Sequence, residues 1–336
     1  MESFYIIHYW GQMILKKSWI GYVSVFILIL FVSACGSVES KSETPGATST
    51  ASSEDNKPKT HKFKHFYGET EIPVNPQKVV TLQYASQMLS VGVKPIGTVS
   101  YLLEGVGPEF QGIEDVGSGD TLNFEKILSL QPDLIIAGDT EQAVYDKLSK
   151  IAPTVVIPWM DYDVFGHVKV MGEILNRQKE AEAWKVEFDK KIQAAKEQII
   201  GKIGEGKTVA IYRIDPKEFY VYGVRNVGFT FYRALDLPRP AAVQKEIDKD
   251  PNFWAAPISL ELLPNYSADY VFVTLLKGED TKQRYQEIQA SSIWKNLPAV
   301  KNNHVFEIDM DTWLGYTPHD IDTQLQEAVK LLTEAQ

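Results

Sequence analysis

From Lys78 onward, short apolar runs alternate with segments whose apolar residues recur every three or four positions. Lys78-Val79-Val80-Thr81-Leu82 has the β-branched character of a strand. Ser86 to Val91 reads as a helix, and Gly92-Val93-Lys94-Pro95-Ile96-Gly97 as a strand bounded by glycine and proline. In Asn123-Phe124-Glu125-Lys126-Ile127-Leu128-Ser129-Leu130 the apolar spacing is helical, and Asn123 suits the N-cap. Gln131-Pro132 stops that helix, and Asp133-Leu134-Ile135-Ile136-Ala137-Gly138 predicts a buried strand. A helix from Glu141 to Ile151 leads through Pro153 to a strand at Thr154-Val155-Val156-Ile157. Strands and helices in this alternation predict a largely parallel sheet covered on both faces.

The pattern changes between Gly166 and Ile203, where no strand is predicted. Val170, Met171, Ile174 and Leu175 form one helical stripe, and Asn176-Arg177 breaks it, because asparagine tolerates the left-handed cap. Ala181, Trp184, Phe188, Ile192, Ala195, Ile199 and Ile203 then mark one face of a helix from Gln178 to Ile203. At 1.5 Å per residue it would be roughly 35–40 Å long, the width of a domain. Gly201, Gly204 and Gly206 end it. Strands follow at Thr208 to Tyr212, Phe219 to Tyr222, Ala268 to Val273 and Val305 to Ile308. Helices are expected around Phe229 to Leu235, from Ile258 to a stop at Pro264 and from Ile321 to Ala335, with a further short apolar segment at Trp294 to Leu297. The fold class is therefore α/β: two Rossmann-like lobes with central β-sheets, joined by one long α-helix. The halves echo each other. Glu125 and Glu261 each sit early in a helix that feeds a strand beginning at an aspartate, Asp133 and Asp269.

The start of the chain carries another pattern. Lys16 and Lys17 precede an apolar run, Trp19 to Ala34, that small residues close. This order predicts a secretory signal, and the run falls short of the roughly 20 residues of a membrane-spanning helix. Met13 gives a more conventional start than Met1 for such a signal. Val32-Ser33-Ala34-Cys35 resembles a bacterial lipobox, making Cys35 the expected lipid attachment; an uncleaved anchor or an idle thiol is the alternative. Residues 36–60 are rich in Ser, Thr, Glu, Lys, Pro and Gly, with little to bury, and read as a flexible tether. The expected divisions are a signal over 1–34, a linker over 35–60, an N-terminal lobe over 61–165, an inter-lobe helical region over 166–203 and a C-terminal lobe over 204–336.

Composition narrows the function. A net charge of -10 at pH 7 argues against nucleic acid as a partner. The single cysteine excludes an intrachain disulfide and any CxxC metal knuckle. Six histidines with no HExxH give no support to a zinc protease. Gly117-Ser118-Gly119 lacks the surroundings of a nucleophile elbow, so a lipid-anchored enzyme is a remote alternative. Arginine usage is uneven: Arg213, Arg225, Arg233 and Arg239 fall close together in an acidic chain. Guanidinium forks suit carboxylate and catecholate oxygens.

With these elements in place, the chain resembles the iron–siderophore substrate-binding lipoproteins of bacterial ABC importers. The resemblance covers about Phe63 to the C-terminus. It is carried by Gly92–Gly97, Asp115–Gly138, Ile151–Ile157, Gly172–Trp184 and Leu297–Leu332, together with the lipobox. It implies a non-enzymatic carrier, without cofactor or direct metal ligand, that holds a ferric siderophore in the cleft between two lobes. It implies an ABC permease dimer and its ATPase as partners, and a lipid-anchored monomer on the extracellular face of a Gram-positive membrane. One glutamate on each lobe, Glu125 and Glu261 by motif position, would dock with the permease, although the helix dipole alone also favours a glutamate in a first turn. Arg213, just after the first strand of the second lobe, is the first expected ligand contact, and Arg225 the second. Tyr84, Trp159 and Tyr222 stand at strand ends that face a cleft in open α/β sheets. Trp313 and Tyr316 lie in the loop before the last helix, with core packing the competing reading for each. Some hydroxamate binders of this family carry Trp-Gly-Arg where this chain has Val227-Gly228-Phe229. That departure and the arginines point to an anionic chelate, carboxylate or catecholate. His319 is the histidine placed near the presumed cleft, with a capping or surface role as its alternative. A cobalamin or haem carrier of the same fold, and a ligand sensor, stay open beside the siderophore reading.

Overall fold

The computed structural model describes residues 59–104 and 107–334. The signal segment, Met13, Cys35 and nearly all of the linker lie outside the described residues.

The described chain enters through a hairpin that the apolar pattern did not announce. Thr60–His65 (β1) and Gly68–Pro73 (β2) pair antiparallel, with mostly exposed or half-buried side chains. Its strands are rich in Lys, Thr and Glu, so alternation there is weak. The Phe66 amide ties it to the Val156 carbonyl at 3.0 Å. Beyond it lies an all-parallel sheet of Val79–Thr81 (β3), Gly97–Thr98 (β4), Glu114–Asp115 (β5), Leu134–Ala137 (β6) and Thr154–Val156 (β7), ordered β5-β4-β3-β6-β7. Most of the expected strand at Gly92–Gly97 is instead irregular. Gly92 takes a φ of 74°, the Ile96 amide meets the Val79 carbonyl at 2.8 Å, and the strand itself starts at Gly97. Ala85–Ser90 (α1), Phe124–Leu130 (α2) and Gln142–Leu148 (α3) are the helices of this lobe. Asn123 Oδ1 accepts the Lys126 amide at 2.9 Å, the cap its position promised.

Two helices then leave the sheet, Val164–Ile174 (α4) and Gln178–Ile203 (α5). Asn176 adopts a φ of 54° at the break between them. The expected stripe of α5 is its inner face, with Ala181, Phe188, Ala195 and Ile199 buried.

The second sheet contains Val209–Ile214 (β8), Phe219–Tyr222 (β9), Ala255–Pro257 (β10), Tyr270–Leu275 (β11) and Val305–Ile308 (β12), ordered β10-β9-β8-β11-β12. Strands β8, β11 and β12 are parallel; β9 runs against β8, and β10 against β9. Ala241–Lys249 (α6), Glu279–Ala290 (α7), Ser292–Lys295 (α8), Pro298–Lys301 (α9), Met310–Leu314 (α10) and Pro318–Glu334 (α11) are its α-helices. Two expected helices take other forms. Phe229–Ala234 is a π-turn, in which Phe229, Thr230, Phe231 and Tyr232 are all buried. Leu260–Tyr266 is a 3-10 turn that runs past Pro264 rather than stopping there. Proline donates to neither kind of ladder, and here Pro264 serves only as acceptor, its carbonyl taking the Ser267 amide at 3.4 Å.

Helix α5 packs against α4 on one side and α11 on the other. Trp184 stacks on Phe188 (centroids 5.4 Å, planes 10° apart), and Phe165 of α4 touches both rings and Phe229 of the second lobe. One aromatic cluster thus welds the connecting helix to both sheets. Phe188→Ala should lower stability by about 3 kcal/mol through the cavity it leaves. Val186→Ala, on the outer face of the same helix, should stay within about 0.5 kcal/mol of the parent. Urea denaturation midpoints would measure both; equal effects would show that the ring cluster does not bear on stability.

Candidate ligand site between the lobes

The C-terminal ends of β3, β6 and β7 bring three loops together, where open α/β sheets present ligands. After β3, Thr81 Oγ1 accepts the Tyr84 amide at 2.9 Å and turns the chain into α1. Tyr84 is fully buried and donates its hydroxyl to the Ile157 carbonyl at 2.5 Å. After β6, a carboxylate oxygen of Asp139 accepts the Trp159 amide at 3.1 Å. Trp159, past the end of β7, is partly exposed. It lies on the ring of His167, with centroids 4.5 Å apart and planes at 25°. Asp163 caps α4 through the Gly166 amide (2.8 Å) and so fixes His167 beneath Trp159. Tyr84 and Tyr162 close other sides of the imidazole, at 5.3 and 6.0 Å. Tyr101 donates to Gln83 Oε1 at 2.9 Å.

Burial raises the Tyr84 pKa well above its usual value, and Asp139, Tyr101, Asp161 and Tyr162 add to the shift. Tyr101 and Tyr162 are 38% and 37% exposed, and Asp139 and Asp161 are exposed as well. Partial desolvation raises the Asp139 pKa, with the Trp159 amide opposing and Asp161 reinforcing. The first lobe offers an aromatic floor with an acidic rim.

The second lobe reaches the same place through residues 223–228, Gly-Val-Arg-Asn-Val-Gly. A Cβ on Gly223 would stand 2.2 Å from the Phe253 carbonyl oxygen, and one on Gly228 1.6 Å from the Gly223 carbonyl oxygen. Only glycines let the loop ends approach this closely. The loop holds Arg225, 1% exposed, which donates to the Tyr162 carbonyl (3.1 Å) and the Trp159 carbonyl (3.0 Å) and stands 4.9 Å over the Tyr316 ring. Tyr316 in turn meets Trp159 edge-on at 5.6 Å. Burial pulls the Arg225 pKa below its usual value, yet guanidinium stays cationic across the working range.

Arg213 forms a second group. Its guanidinium bonds Asp215 at 2.9 Å and the Tyr222 hydroxyl at 3.2 Å and lies 4.1 Å over the Tyr220 ring. Burial works against its charge, but Tyr222 and Asp215 outweigh that and raise its pKa. Arg233 bonds the Pro251 carbonyl at the surface, and Arg239 pairs with Asp236 at 3.5 Å. The arginines close in sequence are thus dispersed among separate partners.

Of the residues expected to line a cleft, Tyr84, Trp159, Arg225 and Tyr316 meet at the lobe junction. Tyr222 stands with Arg213. Trp313 belongs to the core of the second lobe, stacked on Phe231 at 4.9 Å with its indole N–H on Glu327 (2.7 Å). Glu125 and Glu261 are exposed in the first turns of their helices. His319 bridges the lobes: its amide meets Ser86 Oγ at 3.3 Å, and its ring faces Glu109 at 3.7 Å. His167, Tyr162, Tyr101, Asp139 and Asp215 escaped the sequence reading. Asp215 stands two residues from Arg213, and Tyr162 three from Trp159, so proximity in the chain was the available signal. Two surface hollows, about 190 Å³ beside Lys196 and Lys207 and about 420 Å³ beside Lys78 and Lys94, lie away from this junction.

Burial, reinforced by Arg225, lowers the His167 pKa from 6.5 to about 3. The unfolded chain therefore takes up a proton here that the folded chain refuses. This group's contribution to stability is complete above about pH 6.5 and is lost as pH falls toward 3, at up to about 1.4 kcal/mol per pH unit. His167→Phe should flatten the fall of the urea midpoint between about pH 6.5 and 4. Parallel acid slopes in parent and variant would contradict a buried neutral imidazole.

Comparison with known proteins agrees with this architecture. Residues 91–312 match the model of the family described as periplasmic binding protein. The chain is 35% identical to the iron(3+)-hydroxamate-binding protein YxeB of Bacillus subtilis over 325 residues, 95% of this chain and 97% of that protein. It is 31% identical to the iron(3+)-hydroxamate-binding protein FhuD of Bacillus subtilis, over 93% of this chain and 97% of that one. The crystal structure of Staphylococcus aureus SirA complexed with staphyloferrin B superposes with a TM-score of 0.69 at 30% identity, covering 81% of this chain and 98% of SirA. With two sheets, a connecting helix and a family match over most of its length, the chain belongs to the periplasmic binding protein family.

Proposed function

We propose that this chain is the substrate-binding lipoprotein of an ABC importer. It captures a ferric siderophore where the lobes meet and hands it to a membrane permease dimer driven by its ATPase. Cys35 carries the lipid, the following residues form the tether, and Glu125 and Glu261 dock with the permease. No chemical step on the ligand is required, only capture and release.

The observation that carries the reading is the junction itself: an aromatic floor of Trp159, Tyr162 and Tyr101 faces Arg225 and Tyr316 at the strand ends of the first sheet. Bulky chelates suit such surfaces, which combine wide apolar contact with a few fixed polar groups. The same geometry revises the expected ligand chemistry. Arg213 is neutralised by Asp215, and Arg225 is engaged by two carbonyls. The exposed charges of the rim are Asp139 and Asp161, which repel an anionic chelate. Both guanidinium Nε–H groups are buried and have no acceptor among the described residues, so neither arginine presents an open charge to an anionic chelate. The reading is therefore a neutral or cationic ferric hydroxamate rather than a carboxylate or catecholate, in keeping with the names of YxeB and FhuD and in contrast to the staphyloferrin B of SirA.

Tryptophan fluorescence of the lipid-free protein tests this with ferric hydroxamates, ferric catecholates, ferric citrate-type chelates, haem and cobalamin. A ferric hydroxamate should bind with Kd below about 10 μM, near -7 kcal/mol, and anionic chelates at least about tenfold more weakly. If no ferric chelate binds in that range, the capture reading falls; tighter binding of the anionic chelates would remove the hydroxamate assignment alone. Trp159→Phe should weaken hydroxamate binding by about tenfold, or 1.4 kcal/mol, with the urea midpoint little changed. Unchanged affinity would take Trp159 out of the site.

A further inference from the structure

Two exposed leucines have no place in the ligand junction. Leu128 on α2 is 59% exposed, and Leu262 on the Leu260–Tyr266 turn is 46% exposed. Single exposed leucines are ordinary on protein surfaces. These two occupy corresponding turns of the two lobes. Asn123 and Ser259 are the N-caps, Ile127 and Leu263 are fully buried below, and Glu125 and Glu261 project outward in the first turn. Leu128 follows Glu125 by three positions, on the same helical face, and Leu262 adjoins Glu261. Lys126, the cation nearest Glu125 in sequence, is drawn to Glu114 at 2.7 Å.

We infer that Leu128 and Leu262 are the apolar halves of a two-point docking surface whose polar halves are Glu125 and Glu261. Each lobe offers one carboxylate and one isobutyl group to a cationic recess with an apolar wall, one recess on each half of the membrane permease dimer. The carboxylates steer the approach and set the register, and their contribution is screened by salt. The leucines hold the docked complex by shedding water, a contribution that salt does not screen. This inference rests on the importer reading.

The test uses the full chain in its native host, with the resident copy replaced by each variant, and follows uptake of a radiolabelled ferric hydroxamate at low and high salt. Chelate affinity of each purified variant, by tryptophan fluorescence, should stay within about twofold of the parent, because neither pair touches the junction. Leu128→Ser with Leu262→Ser should reduce uptake about tenfold or more at subsaturating chelate, with its salt dependence retained. Leu128→Met with Leu262→Met should restore it. Glu125→Gln with Glu261→Gln should reduce uptake and flatten its salt dependence. If the leucine pair transports like the parent while the glutamate pair fails, the inference is overturned and the docking reading stands. If both pairs transport normally, glutamate docking falls too. If the parent chain itself restores no uptake, the importer reading fails, and the inference with it.

Discussion

The arrangement depends on one buried cation. Arg225 comes from the second lobe, is all but removed from water, and finds its acceptors in the carbonyls of Trp159 and Tyr162 beside the first sheet. A guanidinium in that position demands such partners, because an unmatched buried charge is severely destabilising. Its loop can deliver it only because Gly223 and Gly228 allow backbone to pass backbone at distances no side chain would permit. The face of Tyr316 takes up the rest of the charge. Lobe contact, the pose of Trp159 and the position of Tyr316 are therefore coupled through one side chain, so a ligand that shifts any of them is felt by both lobes.

Helix α5 limits what that coupling can do. A connection made of one long helix, fixed to both sheets through Phe165, Trp184, Phe188 and Phe229, cannot swing as a pair of flexible strands would. Movement between the lobes must be absorbed at the junction, by the contacts of Arg225 and by the bridge from His319 to Ser86 and Glu109. These contacts are few and polar, whereas the ring cluster is extensive and apolar. Small excursions about a stiff spine follow from that contrast.

Much of this was legible in the chain. The α5 helix spans the stretch that the apolar spacing predicts, and Asn176 breaks the preceding helix by the left-handed geometry its side chain tolerates. Strand-end reasoning placed Tyr84 and Trp159 past the C-terminal ends of β3 and β7 but not Tyr222, because β9 runs against β8 and its end lies toward the start of that strand; it also could not give their depth. Tyr84 and Tyr222 lie under the surface, and Trp159 lies on it. Depth depends on what the neighbouring elements cover, which no local period records. The arginines show the same limit. Four in close sequence read as one basic patch, yet a strand, a glycine-bounded loop, a π-turn and a surface segment sent each to a different acceptor. The hairpin at Thr60–Pro73 was missed for a simpler reason: its lysines, threonines and glutamates leave almost no apolar alternation to read.

The faint repeat around Glu125 and Glu261 illustrates what local patterns can carry. The two turns differ in type, one α and the other 3-10 around a proline. Both keep a polar N-cap, a buried aliphatic anchor and an outward carboxylate. Folding explains the Asn123 cap and both buried anchors, since a short helix needs its first amides matched and its inner face buried; Ser259 stands at the cap position without a side-chain bond. The helix dipole explains a preference for the carboxylate but is indifferent to where that helix stands in the lobe. It gives no reason for an exposed leucine beside each one, where a polar residue would be better solvated. What folding accounts for in these turns points inward, and what it leaves over points outward from both lobes, as contact with a partner that has two corresponding halves requires.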